Sequence, residues 1–199
     1  MTEKVKIFKK NILYNDLFKL EKFSLSFLKF NGKYSKPISR VRWVVGKACA
    51  AIVYDSSSDE IILINQFRLP TMNSEHDSGW LTEIVAGLCD KNESEEESIE
   101  REMLEEIGYK PERLIKICDV HMAPGSVKEN LSIFFAEVSD KTRLSEGGGV
   151  GEEEDIKILR FKFEEINNLF LDKKILDAKT FIAIQWLIMN KDKFLKKTN

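Results

Sequence analysis

A chain of 199 residues with 43% hydrophobic and 32% charged residues is long enough for one good core, or one core plus a small appended unit, and has the composition of a folded globular protein. A formal net charge of −2 excludes a general electrostatic attraction to nucleic acid or to an anionic membrane. No segment approaches the roughly 20 apolar residues of a membrane span, and the start MTEKVKIFKKNILYNDLF lacks the apolar run of a signal peptide, so the expected location is the cytoplasm.

From Phe23 to Val45 the pattern FSLSFLKF, then Asn31-Gly32, then KYSKPISRVRWVV predicts two extended arms around a tight turn, because Asn-Gly supplies positive φ values. ACAAIVY and EIILINQF, separated by DSSSD, predict a second hairpin entering the main core. A polar loop, TMNSEHDSG, precedes WLTEIVAG. An acidic segment follows, then the strands LIKICDV and LSIFFAEV on either side of the loop HMAPGSVKEN. The glycine-rich loop EGGGVGEEED leads into the strand IKILRFKF, and the tail holds a short helix from about Glu164 and a longer one over AKTFIAIQWLIMNKDKF. The class is α+β. Cys49, Cys89 and Cys118 show no CxxC spacing and read as reduced thiols. His76 and His121 have no neighbouring Ser or Cys arrangement of the kind nucleophilic catalysis uses.

Within the acidic segment, Ser94 followed by Glu97 is a capping-box pattern, so a helix is expected from about residue 95 to Ile107, with Gly108 ending it. Ile99, Met103 and Ile107 fall four apart and form its core-facing stripe. Glu102, Glu105 and Glu106 share one region of its surface, and Arg101, four before Glu105, offsets only part of their repulsion. By themselves such glutamates fit a solvated surface. They also fit a hard divalent cation, which takes oxygen ligands and pairs carboxylates with phosphates.

The spacing around them is more specific. Gly87, Glu93, Arg101, Glu102, Glu105, Glu106 and Gly108, with Met103 and Tyr109 at the apolar positions, match the pattern GX5EX7REUXEEXGU throughout. Chance would give such a match with a probability on the order of 10⁻⁶. The segment resembles the Nudix box. That resemblance implies a Nudix α/β/α sandwich with a mixed sheet over residues 46–199, plus an N-terminal antiparallel β unit over residues 1–45 for dimerisation and base contact. It implies Mg²⁺, with Mn²⁺ as the substitute, held by Glu102, Glu106, Glu105 in an additional or alternating role, and the Ala86 carbonyl. Glu93 and Arg101 would join the loop to the helix.

Outside the box the chain is similar to the ADP-ribose and nucleoside diphosphate sugar pyrophosphatase branch. NQFRLP places Arg68 where that branch contacts a diphosphate. MAPGSVKEN resembles its S-P-G-G-x-x-E loop, with Ala123 and Ser126 as departures and Glu129 as the acidic match. GGGVGEEEDIKIL resembles its late acidic loop, which implies Glu152 as general base with Glu153 as rival, and Glu154 as a further metal ligand. Its three glycines would suit closure over metal and substrate. Arg42 and Trp43 match the base-contacting region, and relatives of this type are homodimers with exchanged N-terminal strands. The expected reaction is hydrolysis of ADP-ribose to AMP and ribose 5-phosphate. GDP-mannose, giving GMP and mannose 1-phosphate, stands narrowly second, supported by SDKTRLSEGGGVGEEEDI. A non-catalytic nucleotide-sugar sensor is the alternative from another class.

Overall fold

The computed structural model describes residues 4–16, 18–72, 78–151, 154–171 and 177–194. Packing divides the chain into two units, residues 1–46 with 121–130, and residues 47–120 with 131–199. The chain passes from one to the other inside two long strands, β3 (Ile38–Asp55) and β8 (Val127–Val138).

The first unit is an antiparallel meander of β1 (Val5–Asn15), β2 (Lys19–Phe27) and the first half of β3. Its register sets Phe23 opposite both Lys10 and Arg40, and Glu21 opposite Arg42. The strand β1 was not anticipated, because VKIFKKNILYN scatters five lysine and asparagine side chains among its apolar positions and shows no clean alternation. Every residue of β1 is exposed, including Ile7, Phe8, Ile12, Leu13 and Tyr14. The turn at Asn31-Gly32 also differs from expectation. Only Gly32 has a positive φ, and its N–H donates to Lys29 O at 3.0 Å, so the glycine closes a four-residue turn instead of forming half of a two-residue hairpin. Residues 121–130 belong to this unit through a hydrogen bond from Trp43 N–H to Ser126 O at 2.8 Å.

In the second unit, β3 turns at Asp55–Asp59 into β4 (Glu60–Phe67), as DSSSD implied. The run WLTEIVAG is two short strands. β5 (Trp80–Glu83) pairs with β4, β6 (Val85–Leu88) pairs with β3, and Ile84 lies where the chain changes partner. β7 (Arg113–Val120) pairs with β8, and β9 (Lys157–Lys162) pairs with β4. Among the described residues three α-helices complete the unit, α1 (Glu95–Ile107), α2 (Ile166–Leu171) and α3 (Ala178–Phe194).

The strand β3 shows why helices cover both faces. Residues 48–55 are all buried, and successive side chains of a strand point to opposite faces, so neither face can meet water. Cys49, Ala51 and Val53 pack with Ile62, Ile64, Phe134 and the α1 residues Ile99, Met103 and Ile107. Burying each of those three α1 side chains contributes about 1.5–3 kcal/mol. On the other face Phe135 meets Trp186 of α3 with ring centroids 5.9 Å apart. The result is the α/β/α arrangement with an added β meander, in agreement with the α+β expectation. Tyr109 is 2% exposed, and its hydroxyl accepts a 2.6 Å bond from Arg160, which also binds the buried Asp55 at 2.8 Å. The phenol therefore serves as an apolar box position without leaving its oxygen unpaired.

Candidate active site

Helix α1 starts on Ser94, whose hydroxyl accepts the Glu97 N–H while the Glu97 carboxylate accepts the Ser94 N–H. It stops at Gly108 in the left-handed conformation. These two ends fix the helix register, and the register fixes where the glutamates go. With Ile99, Met103 and Ile107 facing the core, Glu106 is carried inward to 4% exposure, Glu102 is mostly buried and Glu105 lies at the margin.

The facing strand is β6. The Glu102 carboxylate lies directly over Gly87, where a Cβ would come within 1.9 Å of Oε1. Glycine is required there by close approach and not by backbone conformation. The Glu106 carboxylate accepts the N–H of Ala86 at 3.3 Å. Ala86 sits opposite Ala50, and antiparallel partners exchange both of their hydrogen bonds or neither, so the Ala86 carbonyl also turns away from β3 towards the helix side.

Arg101 ties the surrounding loop to this helix. Its Nη1 donates to Glu102 at 2.9 Å and to Glu105 at 3.0 Å, its Nε reaches Glu93 at 3.3 Å, and its Nη2 reaches the Leu88 carbonyl at 3.3 Å. Glu93 in turn accepts from Ser98 Oγ at 3.0 Å. One guanidinium thus engages three carboxylates and a backbone oxygen, a number its five donors allow.

Among the described residues no cation bonds Glu106 in this way. Burial, and then the negative charge of Glu102, push its carboxyl up to about 8. Burial also raises Glu102, with Arg101 opposing the shift, and Glu154 adds to the rise. Arg68, just past the end of β4, works in the opposite direction on Glu106 and donates through Nε to the buried Glu83 at 2.7 Å.

Among the described residues no three acidic, histidine or cysteine side chains already converge as a metal site. The conformations explain this, since Glu102 and Glu105 are turned to Arg101 and Glu106 to a backbone N–H. The donor chemistry still fits a hard divalent cation. All the oxygens are carboxylate or carbonyl, two of the carboxylates are buried and raised, and a cation would offset both their desolvation and their mutual repulsion.

The glycine-rich loop plays a part the sequence reading did not foresee. The N–H groups of Gly148 and Gly149 donate to the carbonyls of Glu106 and Glu105 at 2.9 and 3.1 Å, which satisfies the C-terminal end of α1. Gly147 has φ +68, and a Cβ there would come within 2.6 Å of Ile107 backbone. These glycines dock a loop onto the carboxylate helix. Glu154 then accepts the Val150 N–H at 2.9 Å. Glu152 and Glu153, the two candidates for general base, lie outside the described residues, as does His76.

Arg42, Trp43 and Glu129 belong to the first unit. Arg42 donates to Glu21 at 2.7 Å and stacks 4.7 Å from the Phe23 ring centroid. Trp43 is 45% exposed and meets Phe18 edge to face, and with Tyr14, Phe18 and Leu20 it lines a cavity of about 400 Å³. It is therefore not a core strand residue. The backbone carbonyl of Glu129 lies 2.6 Å from His121 Nδ1.

Glu83 is the site residue that sequence reasoning missed. WLTEIVAG reads as a strand, but a single carboxylate inside an apolar run signals a buried charge that must find cations.

A family model described as "NUDIX domain" matches residues 45–183. A curated protein named GDP-mannose pyrophosphatase from Pectobacterium atrosepticum is 35% identical over 189 residues, covering 95% of this chain and 96% of the relative. One of the same name from Shigella flexneri serotype 5b is 32% identical over 190 residues, covering 96% and 98%. A solved structure described as an ADP compounds hydrolase superposes with a TM-score of 0.72 at 22% identity, over 94% of this chain and 96% of that one, a likeness of fold.

Two outcomes follow from the carboxylate geometry. Gly87→Ala should leave the fold intact by circular dichroism but displace Glu102, lowering turnover of any metal-dependent reaction at this site by about 10²-fold, the penalty for a misplacement near 1 Å. Glu106 has a folded pKa above its ordinary value, so its stabilising contribution is complete below about 4.5 and is lost as pH rises towards about 8. In a chelator, thermal melts of the wild type should therefore fall, relative to Glu106→Gln, across that window, and parallel melts would refute the buried-acid assignment.

Proposed function

Since the chain belongs to the NUDIX family, we propose that it is a divalent-metal-dependent hydrolase that cleaves the diphosphate of a nucleoside diphosphate sugar, with GDP-mannose as the first candidate and ADP-ribose as the second. The observation that carries the chemistry is the buried Glu102 and Glu106 pair packed against Gly87 and the Ala86 N–H. The relatives named GDP-mannose pyrophosphatase, which this chain covers nearly end to end, support placing GDP-mannose ahead of ADP-ribose, which the sequence alone put narrowly first.

Glu102, Glu106, Glu154 and the Ala86 carbonyl would hold Mg²⁺, with Glu105 as an additional or alternating ligand and Mn²⁺ as a substitute. When bound, such a cation supplies positive charge to a diphosphate and lowers the pKa of water. Arg101 keeps Glu102 and Glu105 oriented and links them to the Glu93 loop. Arg68 offers its planar donors to a phosphate oxygen. Glu152 takes the proton of the attacking water, with Glu153 as its rival. Base selection is assigned to Arg42 and Trp43, and contact with the substrate to Glu129. With GDP-mannose the products are GMP and mannose 1-phosphate.

We further propose that the molecule is a homodimer and acts in the cytoplasm. The fully exposed strand β1 carries Ile7, Phe8, Ile12, Leu13 and Tyr14 into solvent, and a second copy would cover them. Light scattering should return twice 23.0 kDa, and a mass of 23.0 kDa at micromolar concentration would reject the dimer.

The deciding experiment is parallel turnover of GDP-mannose, ADP-ribose and ADP-glucose with Mg²⁺ or Mn²⁺, scoring the nucleoside monophosphate released. GDP-mannose should be preferred. No turnover of any of them would leave the nucleotide-sugar sensor as the reading. Glu102→Gln and Glu106→Gln should each lower kcat by roughly 10²- to 10³-fold, as the loss of one transition-state charge stabiliser does. Near-normal rates would break the ligand assignment, and a larger loss in Glu153→Gln than in Glu152→Gln would move the base by one residue.

A further inference from the structure

Glu83 closes β5 with its side chain 1% exposed, so its charge is tolerable only if both oxygens find cations. Arg68 Nε takes Oε1 at 2.7 Å, and Lys179 Nζ takes Oε2. Lys179 is the second residue of α3, its side chain is 13% exposed, and it also pairs with Asp177 at 3.1 Å. Asp177 accepts the Thr180 N–H at 2.9 Å and the Thr180 hydroxyl at 2.6 Å. Thr180, wholly buried, accepts the N–H of Ile84 at 2.9 Å. The first turn of α3 therefore grips both the Glu83 side chain and the Ile84 backbone. Two residues further on is Ala86, whose N–H holds Glu106.

We propose that Lys179 is a positioning residue for the reaction, acting through Glu83 on Arg68. Among the described residues the Arg68 side chain donates only through Nε, which leaves its two terminal nitrogens for the oxygens of a diphosphate. With Lys179 absent, the Glu83 carboxylate would have both oxygens open to one guanidinium, and a two-pronged pair is the geometry that arginine and carboxylate favour. Arg68 would then turn its terminal nitrogens inward, away from the oxygens of a diphosphate. Lys179 thus prevents Glu83 from competing with the substrate for Arg68. The inference rests on the diphosphate-cleaving reading of the same site.

The test compares wild type, Lys179→Met, Lys179→Arg, Glu83→Gln and the double variant Glu83→Gln/Lys179→Met in the full chain. KM and kcat for GDP-mannose are read beside the melting temperature. Lys179→Met should raise KM about tenfold with kcat nearly unchanged, a loss of binding equivalent to about 1.4 kcal/mol. Lys179→Arg should restore KM. In the Glu83→Gln background, where no carboxylate competes for Arg68, Lys179→Met should leave KM unmoved. A merely structural role would lower the melting temperature in both backgrounds without this dependence. An unchanged KM in folded Lys179→Met, or a tenfold rise in both backgrounds, overturns the proposal. Should Lys179→Met fail to fold, Lys179→Gln is held to the same criteria. A wild type without turnover defeats the hydrolase reading alone, and the same comparison is then read as the dissociation constant for GDP-mannose.

Discussion

Burying like charges side by side is among the least favourable things a small protein can do, and the second unit is organised around one such place. Glu106 sits 4% exposed with Glu102 beside it, and burial together with that neighbouring charge pushes it up to about 8. Each surrounding element either brings these carboxylates into position or limits the strain of holding them there. The capping box and Gly108 set the helix register, the apolar stripe turns the glutamates to the strand, and the missing side chain of Gly87 gives Glu102 room. Under the proposed function a divalent cation would offset the same repulsion, and the electrostatic tension would then contribute to its binding.

Positive charge is supplied to the site unevenly. Arg101 serves the exposed side, binding Glu93, Glu102 and Glu105 while leaving Glu106 to a backbone N–H and the more distant Arg68. Arg68 is in turn held by Glu83, whose second oxygen belongs to Lys179. The side chains that tune the centre thus come from the end of β4, from β5, from the box helix and from the start of α3. The C-terminal helix, which its sequence presents chiefly as an apolar cover, reaches the site through its first polar turn.

The first unit has a different physical character. Its strand β1 is exposed along its whole length, and Trp43, Phe18, Tyr14 and Leu20 line an aromatic cavity that polar residues alone could not form. Lys10 and Arg42 both pair with the buried Glu21, so Arg42 is pre-oriented by a carboxylate much as Arg68 is.

Much of this was legible in the chain. Local signals settled the box helix from Glu95 to Ile107, because capping, stripe and terminating glycine are all interactions within a few residues, and the spacing of Gly87, Glu93 and the glutamates disclosed the family. Long-range contacts were not legible. The strand β1 has no periodic signature, since its exposed face and its lysines blur the alternation. The glycines at 147–149 suited a loop that closes over a ligand, but the N–H groups of Gly148 and Gly149 bind the end of α1, a role that depends on where the loop returns in space. Likewise Glu83 and Lys179 are ordinary residues in an apolar strand and at a helix start, and only folding joins them across a separation of 96 residues. The sequence by itself determined the family, the carboxylate helix and the kind of chemistry, because those rest on short-range spacing. Tertiary structure alone decided which charges are buried, which cation answers each, and how Arg68 is aimed, because burial and ion pairing arise only when distant segments meet.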